Sequence, residues 1–273
     1  MTERVAFRAL EVREQRSSAS PYSLFTVCEW EDRFPGLRAG ITAAAPDADF
    51  GLSRAPSEAA LRLGYESLGA QLGFSSQAVA RQVHGTRVVA VSRAQRRGLR
   101  LAGEADGLIC DRSGVLACVT AADCVPVYVL DINSGAFAIL HAGWRGTAAG
   151  VLEAGLAALA SRYGSRPESL VVHFGPAICG NCYEVGPEVP AALGIREAAA
   201  GGESGATDDA PARIDLRAEL GRRAARLGVR PADITTSGWC TRCSSDQFHS
   251  HRGKGLAAGR MAAFLGWRRV AEP

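Results

Sequence analysis

The chain has 273 residues, 47% of them hydrophobic and 22% charged, and Lys plus Arg exceed Asp plus Glu by 31 to 28. This is a soluble globular composition, long enough for one large core or two smaller ones, and it excludes disordered, collagen-like, coiled-coil and membrane-spanning classes. The near balance of charge also argues against nucleic acid or a membrane surface as partner; Lys254 is the only lysine, so the arginine excess reads as coding bias.

The first residues, MTERVAFRALEVREQRSS, are charged throughout and hold no apolar signal region. A cytoplasmic protein with reduced thiols is expected, and its eight cysteines are not read as a disulfide framework. From Pro56 to Leu72 the apolar spacing predicts a helix with Ser57 as N-cap and Gly73 as stop. Arg87 to Val91 reads as a strand. Between Gly114 and Leu140 lie three apolar runs, VLACVT, VPVYVL and AFAILHA, separated by AADC and by the turn-forming residues Asp131 to Gly135, so two of the runs form a hairpin. A helix over Thr147 to Tyr163, ended by Gly164, precedes a strand over Leu170 to Gly175. Residues 198–212, AAAGGESGATDDAPA, are a loop by composition. Asp215 to Leu227 forms a helix closed by Gly228, and Ile234 to Trp239 and Arg260 to Trp267 are final strands. Runs of strands with helices between some of them predict an α+β architecture of mixed sheets, with residues 1–273 as one domain.

Three residues at strand ends can carry chemistry: His84 in RQVHGT, Cys124 in TAADCVP and His141 in HAGWRGT. Two imidazoles and a thiolate suit Zn²⁺ with the fourth position open, and they also accept copper. Taken singly, each residue reads as well as a satisfied histidine or a buried small cysteine, and the intervals of 40 and 17 residues match no compact zinc motif. Cys179/Cys182 and Cys240/Cys243 form two CxxC pairs separated by 57 residues. A four-thiolate zinc is one reading, although the usual gap is about 15–20 residues. The same cysteines with Glu184 also imitate a nucleobase deaminase pattern, with Trp239 where proline is usual.

The run ADCVPVYVLDINSGAFAILHAGWRGTAAGV, preceded by RQVHGTRV and ADGLI, followed by GPAICGNCYEVGPEV and closed by CTRCSSDQFHSHRGKGLAAGR, resembles the YfiH family. That family is also called the multicopper polyphenol oxidase or laccase-domain family, and the match runs from about Arg81 to Trp267. The resemblance implies a YfiH-like fold of layered sheets and helices, and a metal held by His84, Cys124 and His141. It implies phosphorolysis of adenosine, inosine and methylthioadenosine and deamination of adenosine, with nucleoside and phosphate as partners of a monomer or homodimer. Deamination suits a single open zinc site, with Cys124 and His141 at the reacting centre. Asp123 is then a candidate general acid/base, its alternative role being to cap a turn. Gln82, Arg145, Arg252 and Arg260 are candidates for holding substrate or phosphate, because guanidinium matches phosphate oxygens in pairs.

The chain also departs from the family pattern. Residues 41–45 (ITAAA), Phe50-Gly51-Leu52 and Gly64-Tyr65 stand where polar groups are usual, and His249 and His251 stand where aromatics are usual. A metal-free thiol hydrolase, for which a cell-wall precursor is one candidate substrate, with Cys124 as nucleophile and His141 or His84 as base, is the alternative enzyme. A copper-dependent polyphenol oxidase is another, for which five histidines are few, and a metal-binding protein with a degenerate substrate pocket is a third.

Overall fold

Val125 to Asp131 is buried at every residue, and its alternation explains why. Val125, Val127 and Val129 pack among helical residues such as Val151, Leu156 and Leu220, whereas Tyr128 and Leu130 pack among residues of a second sheet such as Ala39, Val119 and Leu265. A strand covered on both faces reads as a continuous apolar run instead of an alternating one. The computed structural model describes residues 9–12, 14–45, 48–54, 57–91, 97–195 and 211–269.

Among these residues, two seven-stranded mixed sheets pack face to face. The first runs Leu10–Val12, Ile234–Ser237, Leu170–Phe174, Val125–Asp131, Phe137–Ala142, Gly107–Cys110, Val88–Ala90. The second runs Gln15–Ser17, Leu24–Thr26, Leu37–Thr42, Met261–Trp267, Val115–Ala121, Ser76–Arg81, Gly98–Glu104. Helices Val151–Tyr163 and Leu216–Arg226 cover the outer face of the first sheet, and helix Glu58–Leu72 covers that of the second. The order is therefore helix, sheet, sheet, helix, an α+β fold. Tyr128 Oη donates to Gly40 O at 2.9 Å across the seam between the sheets. No helix of the described residues is long and apolar enough to cross a membrane.

Ser57 caps the helix Glu58–Leu72 by accepting from Ala60 N, and Gly73 ends it in a left-handed conformation. Asp215 likewise caps Leu216–Arg226, accepting from the amides of Arg217 and Ala218. The expected hairpin is Val125–Asp131 with Phe137–Ala142. VLACVT belongs to the other sheet. The single helix expected over 147–163 is two: Trp144–Ala149 and Val151–Tyr163, split where Gly150 takes φ +95°. Such a φ is open to glycine at little cost and stops a helix in the same way as a C-terminal cap. Residues 198–210 of the expected loop, and Pro56, lie outside the described residues; Ala212 is not loop but pairs, with Arg213, against Glu184–Val185.

Candidate active site

Three crossings from the second sheet to the first build one site. The chain crosses between Ser76–Arg81 and Val88–Ala90, between Gly98–Glu104 and Gly107–Cys110, and between Val115–Ala121 and Val125–Asp131. His84 lies on the first crossing, Asp106 on the second, and Asp123 and Cys124 on the third. His141 faces them from the end of Phe137–Ala142, where it pairs with Pro126.

His84 (φ 59°) and Asp123 (φ 89°) are the two non-glycine residues with positive φ among those described. Such backbone costs on the order of 1–3 kcal/mol per residue and persists only where its surroundings fix it. At His84 the fixing group is the fully buried Asp106. Val83 N–H and Gly85 N–H donate to its Oδ2 at 3.1 and 2.7 Å, and His84 N–H donates to its Oδ1 at 2.9 Å. Oδ1 also lies 3.0 Å from His141 Nδ1. Burial works against the charged carboxyl, but the bonds from His141 and from these amides hold it below its ordinary pKa. An ionised Asp106 accepts only, so Nδ1 of His141 carries a proton, and Nε2 is the nitrogen a metal ion would take in place of that atom's own proton.

The ligand atoms of His84, Cys124 and His141 all lie within 4.8 Å of one another. The two imidazoles meet edge to face with ring centroids 4.9 Å apart. Gly143 makes the space, since a Cβ there would sit 2.9 Å from Cys124 Sγ and 3.0 Å from His84 Cδ2. Burial raises the Cys124 thiol, yet the charge and hydrogen bonds of His141 and His84 outweigh it and bring the pKa to about 6. Burial likewise lowers His141, and the Cys124 thiolate with Asp106 reverses this and lifts it to about 9. The donor set fits a divalent ion that takes nitrogen and sulfur. His141 has the carboxylate partner on its second nitrogen that metal-ligating histidines usually have.

A cavity of about 420 Å³ opens over the three residues, within the roughly 300–1,000 Å³ of small-molecule sites. Gln82, Arg54, His251 and Arg260 line it as well. The Gln82 amide is taken up by Thr120, giving one bond to its carbonyl and accepting from its N–H and hydroxyl at 2.7–2.8 Å. Arg260 reaches the cavity with Nη1 bonded to the carbonyls of Ala258 and Gly259. Arg145 and Arg252 do not line this cavity. Arg145 lies over the Trp144 ring at 4.3 Å, and Arg252 lies over the Tyr183 ring at 5.1 Å and bonds Glu184 O. Both oxygens of Asp123 are occupied: Thr241 Oγ1 donates to Oδ1 and Arg252 N–H to Oδ2, each at 2.6 Å.

Sequence reasoning gave no role to Asp106, Thr241, Asp49 or Arg54. Asp49 binds Arg54 Nε at 2.8 Å and the Arg260 amide at 3.0 Å, which sets the outer wall. Asp106 stood in the quoted ADGLI block, where a carboxylate before glycine looks like turn chemistry. Of the departing segments, Gly51 and Leu52 line the cavity, Ala43 is in the seam between the sheets, and Tyr65 is buried with its hydroxyl on Phe50 O. Away from the cavity, Cys179, Cys182, Cys240 and Cys243 also converge, their sulfurs within 4.8 Å of one another, and form a second group able to hold a metal ion.

Known proteins resemble this chain in sequence and fold. A purine nucleoside phosphorylase of Streptomyces coelicolor is 38% identical over 184 residues, 67% of this chain and 72% of its own. Adenosine deaminase RL5, from an unknown prokaryotic organism, is 32% identical over 212 residues, 71% of this chain and 77% of its own. The crystal structure of YlmD from Geobacillus stearothermophilus superposes with a TM-score of 0.78 at 26% identity, covering 94% of this chain and 100% of that one. Residues 38–268 match the family model described as multi-copper polyphenol oxidoreductase laccase, and the chain belongs to that family.

Proposed function

We propose that this chain is a purine nucleoside enzyme, phosphorolysing adenosine, inosine and methylthioadenosine and deaminating adenosine, with zinc held by His84, Cys124 and His141. The observation that carries the reading is the convergence of these three donors in the floor of a cavity that three arginines, Arg54, Arg81 and Arg260, also line. The names of the related phosphorylase and deaminase support the substrate class. A zinc ion there supplies a Lewis acid that polarises a water or substrate oxygen.

The chain's own residues supply the rest. Asp106 fixes the tautomer of His141 and the backbone of His84, so the donors are in place before substrate arrives. Arg260, with Arg54 beside it on Asp49, gives the cavity positive charge suited to phosphate oxygens. His251 Nδ1 is 3.0 Å from Gly255 O, to which it donates, so Nε2 is free to take and return the proton that the departing base or ammonia requires. With Thr241 and Arg252 on its oxygens, Asp123 acts in this scheme by fixing the turn that presents Cys124 rather than by carrying that proton.

The test is incubation of purified protein with adenosine, inosine and methylthioadenosine, with and without phosphate. Free base appearing only with phosphate, and inosine appearing from adenosine, are expected; Cys124→Ser should abolish both. No turnover of any nucleoside by zinc-loaded protein would overturn the proposal. A metal-free thiol hydrolase is the second reading, favoured by the Cys124 thiol at about 6 beside His141. It requires active protein without metal and an acyl group on Cys124. Copper oxidase chemistry fits less well, because only one of the two metal-competent groups among the described residues contains histidine.

A further inference from the structure

We propose that Cys179, Cys182, Cys240 and Cys243 form a second, structural zinc site that fastens residues 177–184 to the turn at 239–244. A tetrahedral zinc with four sulfurs at about 2.3 Å sets its sulfurs about 3.8 Å apart. Here all four lie within 4.8 Å of one another, and Cys182 and Cys243 are 3.4 Å apart. All four are free thiols. An all-sulfur set selects a soft ion over magnesium, calcium or manganese, and four protein ligands with no open position make the site structural.

The surroundings are those of a metal knuckle. The amides of Cys179 and Cys243 donate to Cys240 Sγ at 3.3 and 3.4 Å, bonds that favour a ligating thiolate. The 57 residues between the pairs are bridged by backbone, through the Ala177–Cys240 β-bridge and a 3.2 Å bond from Thr241 N to Ala177 O. Sequence spacing was therefore a poor guide, because the two turns meet through the fold and not through a short connecting loop.

The position gives the ion a purpose. Ile178, next to Cys179, donates its amide to Asp123 O at 3.1 Å, and Thr241, next to Cys240, donates its hydroxyl to Asp123 Oδ1 at 2.6 Å. Two of the three segments that grip Asp123, the positive-φ residue before Cys124, are thus anchored at the four-cysteine cluster, the third being the Arg252 amide. This inference does not depend on the reaction proposed above.

Elemental analysis of protein purified under reducing conditions and reloaded with zinc tests it. Wild type should hold about two zinc ions per chain, and Cys124→Ser and the double variant Cys182→Ser/Cys243→Ser about one each. Cobalt-substituted Cys124→Ser should show the absorption of a four-sulfur site, which the double variant should lack. Cys243→His, which keeps a ligand, should retain the zinc and so guard against a folding artefact. Hydrogen exchange at residues 178–184 should quicken when the double variant is compared with wild type. If wild type holds one zinc that only the double variant loses, this site stands and the zinc reading of the His84, Cys124 and His141 group fails. The proposal is overturned if the double variant holds as much zinc as wild type, if the cluster takes iron instead, or if reduced wild-type protein carries a Cys182–Cys243 disulfide.

Discussion

Replacing Asp106 by asparagine keeps the side chain's shape and removes one acceptor. Asp106 receives four hydrogen bonds, from Val83 N and Gly85 N on one oxygen and from His84 N and His141 Nδ1 on the other. Whichever way the new amide turns, two donors face a donor. Bonds to a charged acceptor contribute about 1.5–3 kcal/mol each, so two lost bonds amount to about 3–6 kcal/mol. Against a total stability of about 5–15 kcal/mol, this should lower Tm by roughly 6–24 °C. Metal affinity should fall as well, by about 10–100-fold, the usual effect of losing the partner of a ligating histidine. The pH dependence has a definite sign. Because the folded-state pKa of Asp106 is held below its ordinary 3.8, its contribution is present in full above about pH 4 and is lost as pH falls through the lowered value. The difference in Tm between wild type and Asp106→Asn should therefore shrink below pH 4. Calorimetry across that range, with zinc competition against a chromogenic chelator, makes both measurements. A variant with wild-type Tm and wild-type zinc affinity would refute the assignment of Asp106 as the organiser of this site.

In metal-free protein, alkylation of Cys124 should rise as pH increases through about 6, while Cys110, pushed up to about 11 by burial, stays unreactive; mass mapping of iodoacetamide adducts checks it. Added zinc should protect Cys124. Gly143→Ala should cost metal occupancy at the His84, Cys124 and His141 group without abolishing folding, since its Cβ meets Cys124 Sγ at 2.9 Å and the His84 ring edge at 3.0 Å; elemental analysis and circular dichroism together decide it. Thr241→Val should remove a buried bond to a carboxylate, with a loss of about 1.5–3 kcal/mol in unfolding free energy by urea titration. An unchanged urea midpoint would show that Asp123 has another partner for Oδ1.

The strands between residues 115 and 142 are legible in sequence because burial on both faces leaves long apolar runs with turn residues between them. Their division between two sheets is not. VLACVT and VPVYVL are neighbours in sequence, with similar composition, and nothing local says that the chain changes sheet at Ala122 to Cys124. The short strands near the N-terminus, such as Gln15–Ser17 and Leu24–Thr26, escape notice because three residues carry no period. His84, Cys124 and His141 are visible as reactive types at strand ends, and resemblance joins them; their approach to within 4.8 Å comes from the crossings. Arg252 attracts attention by its charge, yet what meets Asp123 is its backbone amide, which any residue but proline would supply. Asp106 could have been found by asking which carboxylate fixes the tautomer of a ligating histidine.

The three crossings lie between residues 82 and 124, yet the central strands of both sheets must be paired before they share one end of the sandwich. Met261–Trp267, the neighbour of Val115–Ala121, is supplied by the last stretch of the described chain. The donor trio does not exist in a nascent or half-assembled chain, which offers only scattered thiols and imidazoles. On the proposed zinc reading, metal uptake at this site would follow assembly, and its binding energy would accrue to the completed sandwich. Zinc supply during synthesis would then govern how long the finished protein survives more than whether it finds its topology.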